Sequence, residues 1–163
     1  MSHTSTPSLG HVHLQVSDLE RSIAFYRDVV GLEIQQRDAQ SAFMSFGGYH
    51  HHLGLNTWRS KGAGPAPRCH PGLFHSAFVY PDRAALGQAI IRVLDAGLTL
   101  EGAADHGVSE AVYLSDPDGN GVELYRDRAQ ADWPREAQGT LRMFSDPLDV
   151  QALIAEGEKG LDA

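Results

Sequence analysis

Two of the nine histidines in this 163-residue chain, His11 and His75, stand at matching places in two similar stretches. The first stretch, "LGHVHLQVSDLERSIAFYRDVVGLEI", begins at residue 9, and the second, "LFHSAFVYPDRAALGQAIIRVLDAGLTL", at residue 73. An imidazole titrates close to neutral pH, so it can hold a metal through one nitrogen or pass a proton. A carboxylate, Glu123 in "NGVELY", lies between Val122 and Leu124. In a strand those two valine and leucine neighbours take the apolar face and leave Glu123 on the other. A run of three histidines, His50-His51-His52, lies in "GGYHHHLGLNTW". Any one of these residues alone reads as a solvated strand side chain. A histidine pair at equivalent repeat positions points instead to a shared metal or proton-transfer site.

The elements that would position these residues follow from periodicity. Val12, Leu14 and Val16 alternate with His11, His13 and Gln15, the pattern of a strand with one buried face. In the second copy Phe78 and Tyr80 take the apolar face and His75 the other. Asp18 and Asp82 suit helix N-caps, where a short carboxylate accepts from free backbone N–H groups. Leu19, Ile23, Tyr26 and Val30 form one helical stripe, and Leu86, Ile90, Val93 and Leu94 form another. Gly31 and Gly97 suit the left-handed position that ends a helix. Strand-like stretches come next: "LEIQQR", "SAFMSF" and "YHHHLGL" in the first half, then "LTLEG", "EAVYLS" and "GVELYRD" in the second. "DPDGNG" reads as the turn before the last of them. Each half is therefore β-α-β-β-β. The expected layout is a single domain over 1–163. It has module one at 9–58, a Gly/Pro-rich linker at 59–72, module two at 73–127 and a tail at 128–163. The tail is expected to carry a short helix over 147–156, with Asp146 as its N-cap and Pro147 its first residue.

Composition narrows the classes. The formal net charge of −8 argues against a nucleic-acid partner, which calls for a basic face. No apolar run approaches membrane-spanning length, and the polar N-terminal stretch is unlike a signal peptide. Cys69 is the single cysteine, so no intrachain disulfide forms. A cytoplasmic location is expected.

Two β-α-β-β-β modules with histidines at matching first-strand positions resemble the vicinal oxygen chelate superfamily. It includes glyoxalase I, type I extradiol dioxygenases, and fosfomycin- and bleomycin-resistance proteins. The resemblance covers residues 9–127. It implies an α+β fold in which the two βαβββ modules form a curved mixed sheet around a central metal cleft, here with a C-terminal helical tail added. It also makes Glu123, on the last strand after a "DPDGN" turn, a metal ligand with His11 and His75. Two histidines and one carboxylate leave coordination positions open and suit non-haem Fe(II), with Mn(II) as the alternative. Spacing along the repeat makes His51 the counterpart of Glu123, with His52 as the fallback, because Glu123 lies ten residues after Tyr113 and His51 eight after Phe43. "DHGVSEAVYLSDPDGNGVELY" is similar to the second metal-site segment of extradiol catechol dioxygenases, in which a His-Gly pair, a Tyr and the ligand Glu occur in that order. His106, Tyr113 and Glu123 fit it.

The resemblance is closest to single-domain catechol 2,3-dioxygenase-like proteins. It implies cleavage of a small aromatic diol by O2, with His51 as base, Tyr113 bonded to a substrate oxygen and His106 positioning substrate or donating a proton. A homodimer is expected. The main alternative is a glyoxalase-like metal-dependent isomerase or lyase, which a glutamate at position 51 would have favoured. A fosfomycin-type transferase shares the ligand set but would call for a basic phosphonate pocket. A bleomycin-type binding protein would have no use for a metal triad.

Overall fold

The computed structural model describes residues 6–67 and 69–161. His3 lies outside the described residues. Each half runs strand, helix, three strands. The first half has β1 (Val12–Gln15), α1 (Leu19–Ala24), β2 (Glu33–Arg37), β3 (Ser41–Ser45) and β4 (Leu53–Asn56). The second has β5 (His75–Tyr80), α2 (Arg83–Asp95), β6 (Gly102–Asp105), β7 (Ser109–Ser115) and β8 (Gly121–Asp127). The strands form two four-stranded mixed sheets, β1-β4-β3-β2 and β5-β8-β7-β6. In both sheets the first strand pairs parallel with the last, and every other pairing is antiparallel. The fold is α+β, and β1 and β5 are edge strands in their sheets.

The signals that start and stop the helices act as expected. Asp18 accepts from the Arg21 N–H and Asp82 from the Ala85 N–H. Gly31 and Gly97 take φ of 94° and 71°, a conformation that favours a residue without Cβ. The stripe Leu19, Ile23, Tyr26 and Val30 is buried. After Ala24 the first helix widens into a π-helical stretch, Phe25–Val30, which alternation of apolar residues did not reveal. In α2, Leu86, Ile90 and Val93 are buried, but Leu94 is 46% exposed and does not join that stripe.

Reciprocal bonds tie the halves together. The Tyr26 hydroxyl donates to Asp116 (2.9 Å), and the Tyr80 hydroxyl donates to the Val30 carbonyl (2.7 Å). Asp118 accepts from the Ser17 backbone and hydroxyl and pairs with Arg21. The "DPDGNG" segment is thus a turn whose two aspartates also hold the first helix.

Several expected boundaries move. "LTLEG" is not the strand; β6 begins at Gly102. The His50-His51-His52 run precedes β4 rather than lying within it. The tail helix α3 is Val150–Leu161, and its cap is Asp149, which accepts from the Ala152 N–H (3.0 Å). Asp146 instead makes an antiparallel bridge to Asp105. α3 packs on α2 through glycines. A Cβ on Gly87 would come within 2.0 Å of the Leu153 carbonyl oxygen, so only glycine permits this approach. Among the described residues, no helix is long and apolar enough to cross a membrane.

Candidate metal centre

The sequence-predicted residues gather in two groups, one per half. In the second half, β5 opens on His75 and β8 carries Glu123. Val122 and Leu124 are buried, so alternation turns Glu123 to the opposite face. His75 Nε2 and Glu123 Oε2 are 2.9 Å apart. Tyr113 faces Glu123 across the β7–β8 ladder, and its hydroxyl lies 3.3 Å from Glu123 Oε1. Burial, reinforced by the Glu123 charge, pushes the Tyr113 hydroxyl up to about 12. His106, just past β6, places Nε2 2.6 Å from the Tyr113 oxygen and Nδ1 2.7 Å from the Phe144 carbonyl. The four side chains form one chain of contacts, His75, Glu123, Tyr113, His106.

In the first half, the His11 and His51 rings lie 4.3 Å apart, centre to centre. His51 Nδ1 meets His50 Nδ1 at 2.7 Å. Burial, then the neighbouring His11, lowers the proton affinity of His51. His52 turns elsewhere. It stacks on Tyr49, and its Nδ1 accepts from the Phe46 N–H. His13 packs between Phe43 and Trp58, and burial followed by His11 lowers its pKa.

Register revises one correspondence. β5 pairs Ala77 with Glu123, and β7 pairs Tyr113 with Glu123. The equivalent pairings in the first sheet are His13 with Gly54 and Phe43 with Gly54. Gly54, not His51, is therefore the register counterpart of Glu123. The His13 ring occupies the space a side chain there would fill, 2.8 Å from a Cβ built on Gly54.

The donor chemistry suits a divalent cation, and 2.9 Å between His75 and Glu123 matches adjacent ligands on one ion, about 3 Å for bonds near 2.1 Å. Buried His75 Nδ1 has no hydrogen-bond partner among the described residues. His11 does not complete the set. Among the described residues, no three His, Cys, Asp or Glu side chains converge as a metal site. One chain thus offers two halves of a ligand set, and a three-ligand ion does not fit it alone. Two surface hollows, about 390 and 440 Å3, border Arg126, and neither is lined by His75 or Glu123.

Sequence reasoning missed the Phe144 carbonyl and Asp116, whose roles depend on contacts far along the chain. The acidic turn gave a local signal for Asp116, but no signal marked Phe144.

The fold, two βαβββ units with a histidine opening each, is that of the vicinal oxygen chelate proteins. The family model for the Glyoxalase/Bleomycin resistance protein/Dioxygenase superfamily matches residues 8–124, and the chain belongs to that superfamily. It is 38% identical over 148 residues to a Bacillus subtilis protein named Catechol-2,3-dioxygenase, covering 91% of this chain and 51% of that one. It is 32% identical to Biphenyl-2,3-diol 1,2-dioxygenase 3 of Rhodococcus globerulus, covering 76% of this chain and 65% of that one. The chain therefore spans about half to two thirds of the length of these relatives. Among solved structures, lactoylglutathione lyase from Agrobacterium tumefaciens superposes with a TM-score of 0.58 at 27% identity, over 76% of this chain and 96% of that one.

Proposed function

We propose that the protein is an extradiol dioxygenase that inserts both atoms of O2 into a catechol-type diol with non-haem Fe(II). The observation that carries this reading is the His75–Glu123 pair with Tyr113 and His106 linked directly behind it. The kinship with proteins named as diol dioxygenases supports it. Fe(II), or Mn(II) on the same donors, would supply chelation of the diol and binding of O2. The chain's own share is to hold that ion with His75, Glu123 and His11 and to manage protons. With His51 Nδ1 donating to His50 Nδ1, 2.7 Å away, Nε2 would be bare and would take a proton from the diol. A lone cysteine and an Fe(II) requirement suit the reducing cytoplasm.

This reading needs His11 beside His75 and Glu123, and a homodimer provides the route. β1 and β5 are edge strands; His11 immediately precedes β1 and its match His75 opens β5. Leu9 and Phe74, near those starts, are exposed (85% and 88%), as is Trp58 (57%), whose ring lies beside His13. A second copy set against these edges would join His11 of one protomer to the His75 and Glu123 of the other, twice by symmetry.

Oxygen uptake after anaerobic Fe(II) loading, with a panel of substituted catechols and His75→Ala as control, tests the activity. A coloured ring-opened product lost in the variant supports it. Bound metal without uptake sinks it, and turnover of glutathione hemithioacetals instead would assign the isomerase class. Mixing His11→Ala chains with Glu123→Ala chains tests the pairing. A site shared between chains regains Co(II) binding in the mixture, whereas a site within one chain stays empty.

A further inference from the structure

We infer that the segment after β8 sets the hydrogen-bond direction of the His75–Glu123 half-site. The Phe144 main-chain carbonyl holds His106 as the Nδ1–H tautomer. Tyr113 therefore donates its hydroxyl proton to His106, away from Glu123, and presents its oxygen to the metal side as an acceptor. The tautomer stands on geometry alone. Its meaning for a diol rests on the dioxygenase reading above.

A carbonyl oxygen only accepts, so the 2.7 Å contact from His106 Nδ1 to Phe144 requires a proton on Nδ1. In a neutral imidazole Nε2 is then bare, and the 2.6 Å contact to the Tyr113 oxygen requires the phenol to donate. Tyr113 has one proton. The shorter contact takes it, and the 3.3 Å approach to Glu123 Oε1 is left without one. Glu123 keeps that oxygen as a free acceptor suited to a cation. A hydroxyl that a bound diol still carries would find an acceptor, not a competing donor, at Tyr113.

The segment is built to hold this carbonyl still. The Asp105 N–H donates to the Asp146 carbonyl and the Asp146 N–H to the Asp105 carbonyl, each at 2.9 Å. The Phe144 N–H reaches the His106 carbonyl at 3.4 Å. Gly107, at φ 77°, leaves room for the Phe144 ring, since a Cβ there would lie 2.5 Å from Cε1. The residues following β8 thus grip His106 through the Phe144 main chain, with the Phe144 ring over Gly107 and the Ser145 hydroxyl 3.3 Å from Nδ1. Phe144 is a positioning residue, acting through its main chain.

Long-range 1H–15N spectra of the full-length protein labelled at histidine nitrogens would read the tautomer directly, with His106→Gln identifying the signal. The expected result at neutral pH is a protonated Nδ1 and a bare Nε2. An Nε2–H tautomer, or protons on both nitrogens, overturns the inference. Tyr113→Phe should leave Nδ1–H in place, because the carbonyl remains; a switch would assign the control to Tyr113 instead. Phe144→Ala combined with Asp146→Pro loosens the segment, and the Nδ1–H preference should be lost. Its persistence in that variant would remove the segment's role. These spectra need no turnover, so a protein inactive on every catechol could still show the tautomer, and an active one could still lack it.

Discussion

At three facing positions the second sheet carries Ala77, Glu123 and Tyr113, while the first carries His13, Gly54 and Phe43. The backbones correspond strand for strand, yet the polar groups are unevenly shared. In the second half a carboxylate and a phenol are linked to His106. In the first, a glycine makes space for an imidazole and a phenylalanine closes the ladder. A duplicated scaffold can thus keep its caps, turns and core in both copies while concentrating the carboxylate chemistry in one. In the proposed function, His11 is the first half's contribution to the shared metal.

The largest expected difference between the halves is at their counterpart positions. Glu123→Ala should lower divalent-metal affinity by at least about a hundredfold in anaerobic titration calorimetry, since it removes a ligand rather than a supporting contact. Gly54→Ala, which forces the His13 ring aside, should cost stability in urea unfolding and lower that affinity far less than Glu123→Ala does. In the proposed reaction Tyr113→Phe should cost roughly tenfold in ring cleavage, as loss of a group behind a ligand does, while Phe43→Tyr, whose ring only packs against His51 and His13, should cost less. Equal losses on the two sides would break the comparison.

The tyrosines that cross between the halves give a pH test. Burial pushes the Tyr80 hydroxyl up to about 12, with Arg92 opposing the shift. The neutral phenol is thus favoured by folding. Its contribution, about 2–3 kcal/mol, is complete below pH 10 and fades as pH rises from about 10 to 12. Urea unfolding across that interval should show the decline, and Tyr80→Phe should flatten it. The smallest effects should be symmetric. Asp18→Ala and Asp82→Ala each remove an N-cap and should each cost about 1 kcal/mol in the same assay.

What could be read from the sequence was mostly local. Asp18, Asp82, Gly31 and Gly97 announce helix ends because caps and left-handed turns need particular residues. β8 was legible to the residue, because "GVELYRD" follows an unmistakable turn. Other features depended on distant partners. "LTLEG" has strand propensity, but Gly102–Asp105 is the stretch that pairs with β7. Counting residues along the first hairpin made His51 the mate of Glu123, whereas eleven residues separate Phe43 from its partner Gly54 and ten separate Tyr113 from Glu123. The pairing of β5 with β8 sets His75 beside Glu123, and the packing of the modules sets His11 apart from both; no periodicity encodes either.

The seating of α3 on α2 has a mechanical consequence. Contact between Gly87 and Gly157 fastens the far end of the segment that begins after β8, so the stretch carrying Phe144 is a loop clamped at both ends. Closing a loop of this size costs little entropy once, and the clamp then restrains every residue within it. Clipping the last helix would free one end, and the slack would be felt at a histidine whose own strand is untouched.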